Sequence, residues 1–172
     1  YFCVAGENKF RLIEALDYNE LRSRQLLEHF ICESLRVKQA LIEVDEFDKN
    51  KRIVFNFGHT FGHALESISN YSIPHGIAVA RGIDIANYVS YSRGWLDGNL
   101  YQRVHQVCEK ITEGADFSFF DIEKMFSAFK NDKKATSNGI NFIYMHELGD
   151  LRPHEEILDE EFKTYLSGFA NQ

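Results

Sequence analysis

Three histidines lie within one short segment of the sequence, His59, His63 and His75. His59 and His63 are four residues apart, a spacing that places two side chains on one face of an α-helix about 6 Å from each other. His75 follows Pro74 and can lie against them if the intervening loop reverses the chain. Imidazole rings bind zinc and also transfer protons near neutral pH. The segment predicts a metal site or an acid–base site, although HxxxH pairs also occur on helices that only pack.

The residues between and before these histidines limit the kinds of site that the segment could form. Zinc proteases with the motif HExxH need a glutamate between the two histidines, and here Thr60 and Phe61 stand among the intervening residues, so a protease of that type is not indicated. Gly58 and Gly62 each precede a histidine. Because glycine costs about 1 kcal/mol inside a helix, this pair predicts close approach by another helix or by a ligand.

Four cationic side chains accompany the histidines. Lys38 falls seven residues after Ile31 on the apolar side of a predicted helix, where its ammonium must meet an anion or reach solvent. Arg52 precedes the histidine segment, and Lys133 and Lys134 lie next to a predicted turn. In a chain with a net charge of −7, these cations predict a pocket for an anionic small molecule.

Helical periodicity dominates the rest of the sequence, which has only two prolines. The repeat of Leu27, Ile31 and Leu35 predicts the apolar face of one helix. Helices are predicted over LLEHFICESLRVKQALIEVDE, HTFGHALESIS, PHGIAVARGIDIANYVSYSRG, GNLYQRVHQVCEKI and DIEKMFSAFKND and, after Pro153, over HEEILDEEFKTYLSGF. The third of these is apolar on nearly every side, which predicts a position in the middle of the bundle.

One segment departs from helical periodicity. Asn138-Gly139 is a hairpin turn signal, and an alternation of apolar residues follows it, so a small β-hairpin is predicted near residues 134 to 147. Asp121 is predicted to cap the helix that precedes this segment. The predicted fold is therefore a single all-α domain, residues 1–172, with one small hairpin.

Composition excludes several classes of protein. No apolar run approaches the roughly 18 to 20 residues of a membrane helix. The net charge of −7 argues against a protein that binds nucleic acid or membrane surfaces in general. Cys3, Cys32 and Cys108 are isolated and odd in number, which favours free thiols in a reducing cytoplasm.

The segments KQALIEVDEFDKNKRIVFNFGHTFGHALE and PHGIAVARG resemble the C-terminal domain of the 3-dehydroquinate synthase family, and the core GHTxGHAxE is highly specific. The resemblance runs from Glu7 to Gly149. It implies a multi-helix, metal-carrying domain behind an N-terminal NAD-binding domain, with the active site in the cleft between them. We expect that NAD-binding domain to lie outside this chain, which begins without Met, and we expect the isolated chain to be inactive.

The resemblance also implies roles for individual residues. His59 and His75 match the two histidine ligands of a zinc or cobalt ion, and His63 matches the histidine that lies by the substrate phosphate and assists proton transfer. The third metal ligand of the family is a glutamate in the motif ExxK[YF]. Its nearest match is GENKF, which gives Glu7 as the ligand and Lys9 as a substrate contact, with one residue fewer between them.

Further positions match the substrate contacts of the family. Asn56 matches an asparagine that contacts the substrate, and Lys38 and Arg52 match the pair that binds its carboxylate. One of Lys133 and Lys134 matches a lysine that binds the phosphate. The implied reaction is cyclisation of a carboxylated heptulosonate phosphate with loss of phosphate, a carbon–oxygen lyase step of the shikimate pathway and aromatic amino acid biosynthesis. The implied enzyme is a cytoplasmic homodimer.

Three alternatives stay open. A related cyclase that makes an inosose or a valiolone would act on a substrate without a carboxylate, and would not need the Lys38 and Arg52 pair. An alcohol dehydrogenase of the glycerol dehydrogenase type, which uses NAD and a metal, shares the architecture but needs neither the phosphate nor the carboxylate cations. A helical interaction domain without catalytic activity could keep the motif for packing or dimerisation.

Overall fold

The computed structural model describes residues 1–44, 52–130 and 139–171. Within these ranges it has seven α-helices, two short 3-10 helices and one two-stranded antiparallel sheet, which confirms the predicted all-α fold with one small hairpin. The α-helices are α1 (Glu7–Glu14), α2 (Arg24–Val44), α3 (His59–Ile68), α4 (His75–Ser92), α5 (Gly98–Thr112), α6 (Ile122–Lys130) and α7 (Glu160–Ala170). The strands are β1 (Ile140–Glu147) and β2 (Asp150–Glu156), and the 3-10 helices are Tyr18–Arg22 and Arg52–Asn56.

Helices α3 and α4 pack backbone against backbone. A Cβ atom added to Gly82 of α4 would lie 2.2 Å from the carbonyl oxygen of Gly58, and one added to Gly62 would lie 3.1 Å from Cα of Val79. Gly58 also has a φ of 75°, in the left-handed region that glycine adopts without strain. The close approach by another helix that the glycines predict is therefore confirmed.

The chain reverses between α3 and α4 through two residues with positive φ, Asn70 (52°) and Tyr71 (58°). The N–H of Tyr71 donates to the carbonyl oxygen of Glu66 at 2.7 Å, which fastens the loop to the end of α3. Pro74 follows and caps α4, where its missing N–H has no cost. This reversal places His75 beside α3.

Helix α4 lies in the middle of the fold, as predicted. It contacts α3, α5, α7 and β1, and its buried residues include Ile85, Ala86 and Val89. An aromatic cluster fills the space between α3, α6, β1 and α7, with Phe61 and Phe142 ring centroids 4.6 Å apart. None of the described helices combines the length and apolarity that crossing a bilayer requires. All three cysteines are free thiols, also as predicted.

The hairpin lies further along the chain than predicted. β1 pairs with β2 across Leu148-Gly149, where Gly149 has a φ of 90°, whereas Asn138 lies outside the described residues. Pro153 pairs with Ile143 inside β2 instead of preceding a helix, because a proline fits a two-stranded sheet when its missing donor faces away from the ladder. The last helix therefore begins later than predicted, after Asp159, whose side chain accepts the Phe162 N–H at 2.9 Å.

Helix α2 exists as predicted, but the prediction of its buried face is wrong. Leu27, Ile31 and Leu35 are 46%, 49% and 58% exposed, whereas Glu33 and Val37 are 5% and 8% exposed. Glu33 accepts hydrogen bonds from Lys9 and Arg36, which lower the pKa of its carboxyl. The Glu33 carboxylate therefore lies on the side of α2 that faces the body of the protein, where it pairs with Lys9 of α1, whose side chain is 40% exposed. By contrast, the predicted cap of α6 is confirmed, because Asp121 accepts the Lys124 N–H at 2.9 Å.

Candidate functional site

Three imidazole rings converge at the starts of α3 and α4. The ring centroids are 5.7 Å apart for His59 and His63, 5.5 Å for His59 and His75, and 5.9 Å for His63 and His75. His59 and His75 are the first residues of their helices, and His63 lies one turn into α3. The structure thus brings together the three histidines that the sequence singles out, and we refer to them as the histidine cluster.

The histidine cluster is open to solvent. The side chain of His75 is 56% exposed and His63 is also exposed, whereas His59 is half-buried. Nδ1 of His59 lies 3.2 Å from the carbonyl oxygen of Phe57. When Nδ1 carries the proton it donates to that carbonyl, and Nε2 is then the nitrogen that can bind a metal. An open cluster of imidazoles can accept both a metal ion and a substrate.

A carboxylate that sequence reasoning missed joins this cluster. Oε1 of Glu66 lies 3.1 Å from Nδ1 of His75, and the Glu66 side chain is 13% exposed. The potential ligand atoms of His63, Glu66 and His75 all lie within 4.8 Å of one another. Glu66 follows His63 by three residues, so the sequence places both on one helical face, and that spacing is the signal that could have identified it.

The backbone at the cluster favours a bound anion. Both α3 and α4 begin there, and the first N–H groups of a helix have no partner inside the helix and carry partial positive charge. Asn56, half-buried, ends the 3-10 helix Arg52–Asn56 three residues before His59. Arg52 begins that helix but its side chain lies outside the part of the chain that is described, as do Lys133 and Lys134.

Glu7 is not brought to the histidine cluster. Arg103 of α5 donates to its two carboxylate oxygens at 2.9 and 3.2 Å, and Arg11 donates at 2.7 Å. These hydrogen bonds, that from Arg103 first, lower the pKa of the Glu7 carboxyl to about 2. Among the described residues, the sets of histidine, cysteine and acidic side chains that could share one metal do not include Glu7.

The predicted lysines of α1 and α2 differ from each other in their surroundings. Lys9 donates to the buried carboxylate of Glu33. Lys38 is exposed and lines a groove of about 290 Å³ with Tyr1, Phe30 and Leu35, among others. The exposure of Lys38 agrees with the alternative in which its ammonium reaches solvent.

A second group of polar side chains lies between α4 and α5. His105 Nδ1 lies 2.9 Å from the fully buried carboxylate of Asp84, and this hydrogen bond raises the pKa of His105. Arg81 donates to Asp84 at 3.2 Å and to Glu109 at 2.5 Å, and its guanidinium lies 4.7 Å from the ring centroid of Phe169. Because Arg81 already supplies the cation for both carboxylates, the histidine cluster is the better metal site.

The chain is similar in sequence to known proteins. A family profile described as 3-dehydroquinate synthase C-terminal matches residues 1–135. Two curated relatives, both 3-dehydroquinate synthases of Streptococcus pneumoniae, are 35% identical over 167 residues and 34% identical over 145 residues. The alignments cover 96% and 82% of this chain and 47% and 41% of the relatives, so the chain spans about half the length of the curated relatives it matches.

Solved structures share the fold. A 2-epi-5-epi-valiolone synthase from Streptomyces hygroscopicus subsp. jinggangensis 5008, with NAD⁺ and Zn²⁺ bound, aligns with a TM-score of 0.77 and 16% identity over 94% of this chain and 46% of its own. A 2-deoxy-scyllo-inosose synthase complexed with carbaglucose-6-phosphate, NAD⁺ and Co²⁺ aligns with a TM-score of 0.69 and 23% identity over 85% and 42%. At these identities the likeness establishes the fold.

Proposed function

Because the chain belongs to the 3-dehydroquinate synthase C-terminal family, we propose that it is the metal- and substrate-binding half of a sugar-phosphate cyclase. The substrate we propose is a carboxylated heptulosonate phosphate, which is cyclised with loss of phosphate. The observation that carries this proposal is the convergence of His59, His63 and His75 where two helices begin. Packing alone does not require three solvent-accessible imidazoles at one point.

The donor set at the histidine cluster fits a divalent metal such as zinc or cobalt. His59 and His75 are the imidazole ligands that the resemblance implies, and their ring centroids lie 5.5 Å apart. Glu7, the third ligand that the resemblance implies, is held instead by Arg103. When bound, the metal supplies Lewis-acid chemistry, which lowers the pKa of a substrate hydroxyl that is oxidised to a carbonyl.

The remaining groups of the cluster suit an anionic substrate. The N–H groups in the first turns of α3 and α4 point their partial positive charge towards the cluster and suit phosphate oxygens, as helix N-termini commonly do. His63, exposed and one turn into α3, is placed to give or take a proton as the phosphate departs. Asn56 precedes the cluster and can hydrogen-bond a substrate hydroxyl through its amide. Together these groups would hold the leaving phosphate in position.

Cations are proposed to select the carboxylated substrate. Arg52 can bind a carboxylate with two parallel hydrogen bonds, and Lys38 adds a second positive charge. One of Lys133 and Lys134 is proposed to bind the phosphate. Substrates of the inosose and valiolone type have no carboxylate, so this pair favours the heptulosonate over those sugars.

Hydride transfer is proposed to use NAD bound by a separate N-terminal half. The two solved cyclases hold NAD⁺ together with Zn²⁺ or Co²⁺, and the curated relatives are about twice as long as this chain. We propose that the complete enzyme is a cytoplasmic homodimer of the shikimate pathway. The 172-residue chain alone would then bind metal and substrate without turning the substrate over.

Titration calorimetry of the zinc-loaded chain tests this proposal. The carboxylated heptulosonate phosphate should bind about tenfold or more tightly than sedoheptulose 7-phosphate, from the roughly 1.5 to 3 kcal/mol of a charge-assisted hydrogen bond. Arg52→Lys should reduce this preference, while Arg24→Lys, at a 91% exposed arginine on α2, should preserve it. Tighter binding of sedoheptulose 7-phosphate would instead support the related cyclase. Binding of neither sugar would support a helical domain without catalytic activity.

A further inference from the structure

The Glu7 carboxylate belongs to an ion-pair network that does not include the histidine cluster. Three hydrogen bonds reach its carboxylate, two from Arg103 and one from Arg11. Arg103 also donates to Glu14 at 2.7 and 2.9 Å, so one guanidinium holds two carboxylates of α1. Moving Glu7 to the histidine cluster would break charge-assisted hydrogen bonds, which are among the strongest in proteins. The low pKa of Glu7 has the same cause.

Glu66 is the acidic side chain that the fold places at the cluster. Its Oε1 lies 3.1 Å from Nδ1 of His75. Two ligands bound tetrahedrally to zinc at about 2.0 to 2.1 Å have their donor atoms roughly 3.3 Å apart, so this spacing suits neighbouring ligands of one ion. An imidazole nitrogen of His63 also lies within 4.8 Å of both, which keeps the proposed proton-transfer group beside this pair.

The backbone around Glu66 is held by the loop that follows it. The Tyr71 N–H and the Ser69 hydroxyl both donate to the Glu66 carbonyl oxygen, at 2.7 and 3.0 Å. Leu65, the residue before Glu66, is fully buried. The packed end of α3 therefore fixes the backbone of Glu66, from which the carboxylate reaches Nδ1 of His75.

We propose that Glu66, in place of Glu7, supplies the carboxylate ligand of the divalent metal, beside His75. This inference rests on the proposed function, which requires a metal at the histidine cluster, and it assigns the acidic ligand to the glutamate that ends the GHTxGHAxE motif of this chain. The motif GENKF has one residue fewer between Glu7 and Lys9 than the resemblance implies, and here both side chains form ion pairs with other residues. This carboxylate and the imidazoles of His59 and His75 would leave the fourth position of zinc for a substrate oxygen.

Zinc affinity of matched variants provides the first test. In titrations of the 172-residue chain with zinc alone, Glu66→Gln should weaken binding by about 100-fold or more, because loss of a ligand exceeds the 10- to 100-fold typical of an outer residue. The control Glu7→Gln should bind zinc as the wild type does. The inference is overturned if Glu66→Gln keeps the wild-type affinity, or if Glu7→Gln is the variant that loses it.

A spectroscopic test separates a ligand from a residue that only orients His75. A thiolate bound directly to Co²⁺ gives a charge-transfer band in the near ultraviolet, and thiolates are good ligands of this ion. Glu66→Cys loaded with Co²⁺ should show that band above the wild type, whose own three cysteines set the baseline. Glu7→Cys, the matched control, should show none.

The outcomes of the two tests are distinguishable. Cobalt binding without a band in Glu66→Cys means that Glu66 is not a ligand, and a band in Glu7→Cys restores Glu7; either result overturns the inference and leaves the proposed function standing. If the wild-type chain binds neither zinc nor cobalt, the metal centre of the proposed function fails and this inference fails with it.

Discussion

At the scale of single residues, the hydrogen bonds from Arg103 have the largest effect on the pKa of the Glu7 carboxyl. These hydrogen bonds, followed by those of Arg11, lower the pKa of Glu7 to about 2, below the value of about 4.3 expected in the unfolded chain. A carboxyl with a lowered folded-state pKa stabilises the fold above its unfolded pKa, and this contribution is lost as the pH falls through the folded pKa. The stabilisation is therefore fully present above about pH 5, declines between pH 5 and pH 2, and is lost as the pH falls through about 2.

This pH dependence can be measured. Glu7→Gln should lower the free energy of unfolding at pH 6, and the difference from the wild type should shrink towards zero as the pH approaches 2. Urea denaturation followed by circular dichroism at both pH values tests this. Glu113→Gln, at an exposed glutamate, is the control and should change little at either pH. A difference for Glu7→Gln that is equally large at low pH would refute the role assigned to Arg103.

The sequence predicts the types and spacing of the site residues better than their partners. The spacing of His59 and His63 fixes their relation, because helix geometry is local. The partner of Glu7 is Arg103, 96 residues away, and no local pattern connects the two. Glu66 was within reach of sequence reasoning, since it follows His63 by three residues, but its contact with His75 depends on the turn through Tyr71.

At the scale of elements, the close packing of α3 on α4 holds the histidine cluster together. It depends on glycine at the crossing point, where a Cβ on Gly82 would lie 2.2 Å from the Gly58 carbonyl oxygen and 2.7 Å from the Gly62 nitrogen. Because these are backbone atoms, they cannot move aside as the end of a flexible side chain could. The helices would have to separate.

A pair of alanine substitutions on α4 tests this packing. Gly82→Ala should destabilise the chain by about 1 to 3 kcal/mol or more, as overpacking typically does. Gly76→Ala, where no atom lies within 4 Å of the added Cβ, should be neutral or stabilise by up to about 1 kcal/mol through helix propensity. Thermal and urea unfolding of the metal-free variants provide the comparison. Equal stability of the two variants would argue against close packing at Gly82.

The elements also differ in how far the sequence determines them. Helical periodicity, with Gly58 before α3 and Pro74 before α4 marking where they begin, is sufficient to predict these two helices from the sequence. Helix α2 has apolar residues on two sides, so its periodicity alone does not select the buried face. In the structure that face carries Glu33, which pairs with Lys9 of α1 in a tertiary interaction. The hairpin was predicted too early in the chain because the sequence offers two glycine-containing turns, Asn138-Gly139 and Leu148-Gly149. In the structure, β1 and β2 pair across Leu148-Gly149.

At the scale of the whole molecule, the hydrophobic core and the candidate metal site lie in different parts of the fold. The core surrounds α4 and an aromatic cluster, while the histidine cluster lies on an exposed face where two helices begin. The chain spans about half the length of its curated relatives. An open site on one face agrees with our proposal that this chain supplies the metal- and substrate-binding half of a larger enzyme.

Equilibrium dialysis against zinc tests most directly whether this face binds one divalent metal through the histidine cluster. We expect one zinc per wild-type chain and loss of that zinc in His75→Ala, which removes the imidazole that lies 3.1 Å from Glu66. His29→Ala, at an exposed histidine on α2, should retain the zinc. A wild-type chain without zinc, or a His75→Ala variant that binds it as well as the wild type, would contradict the account.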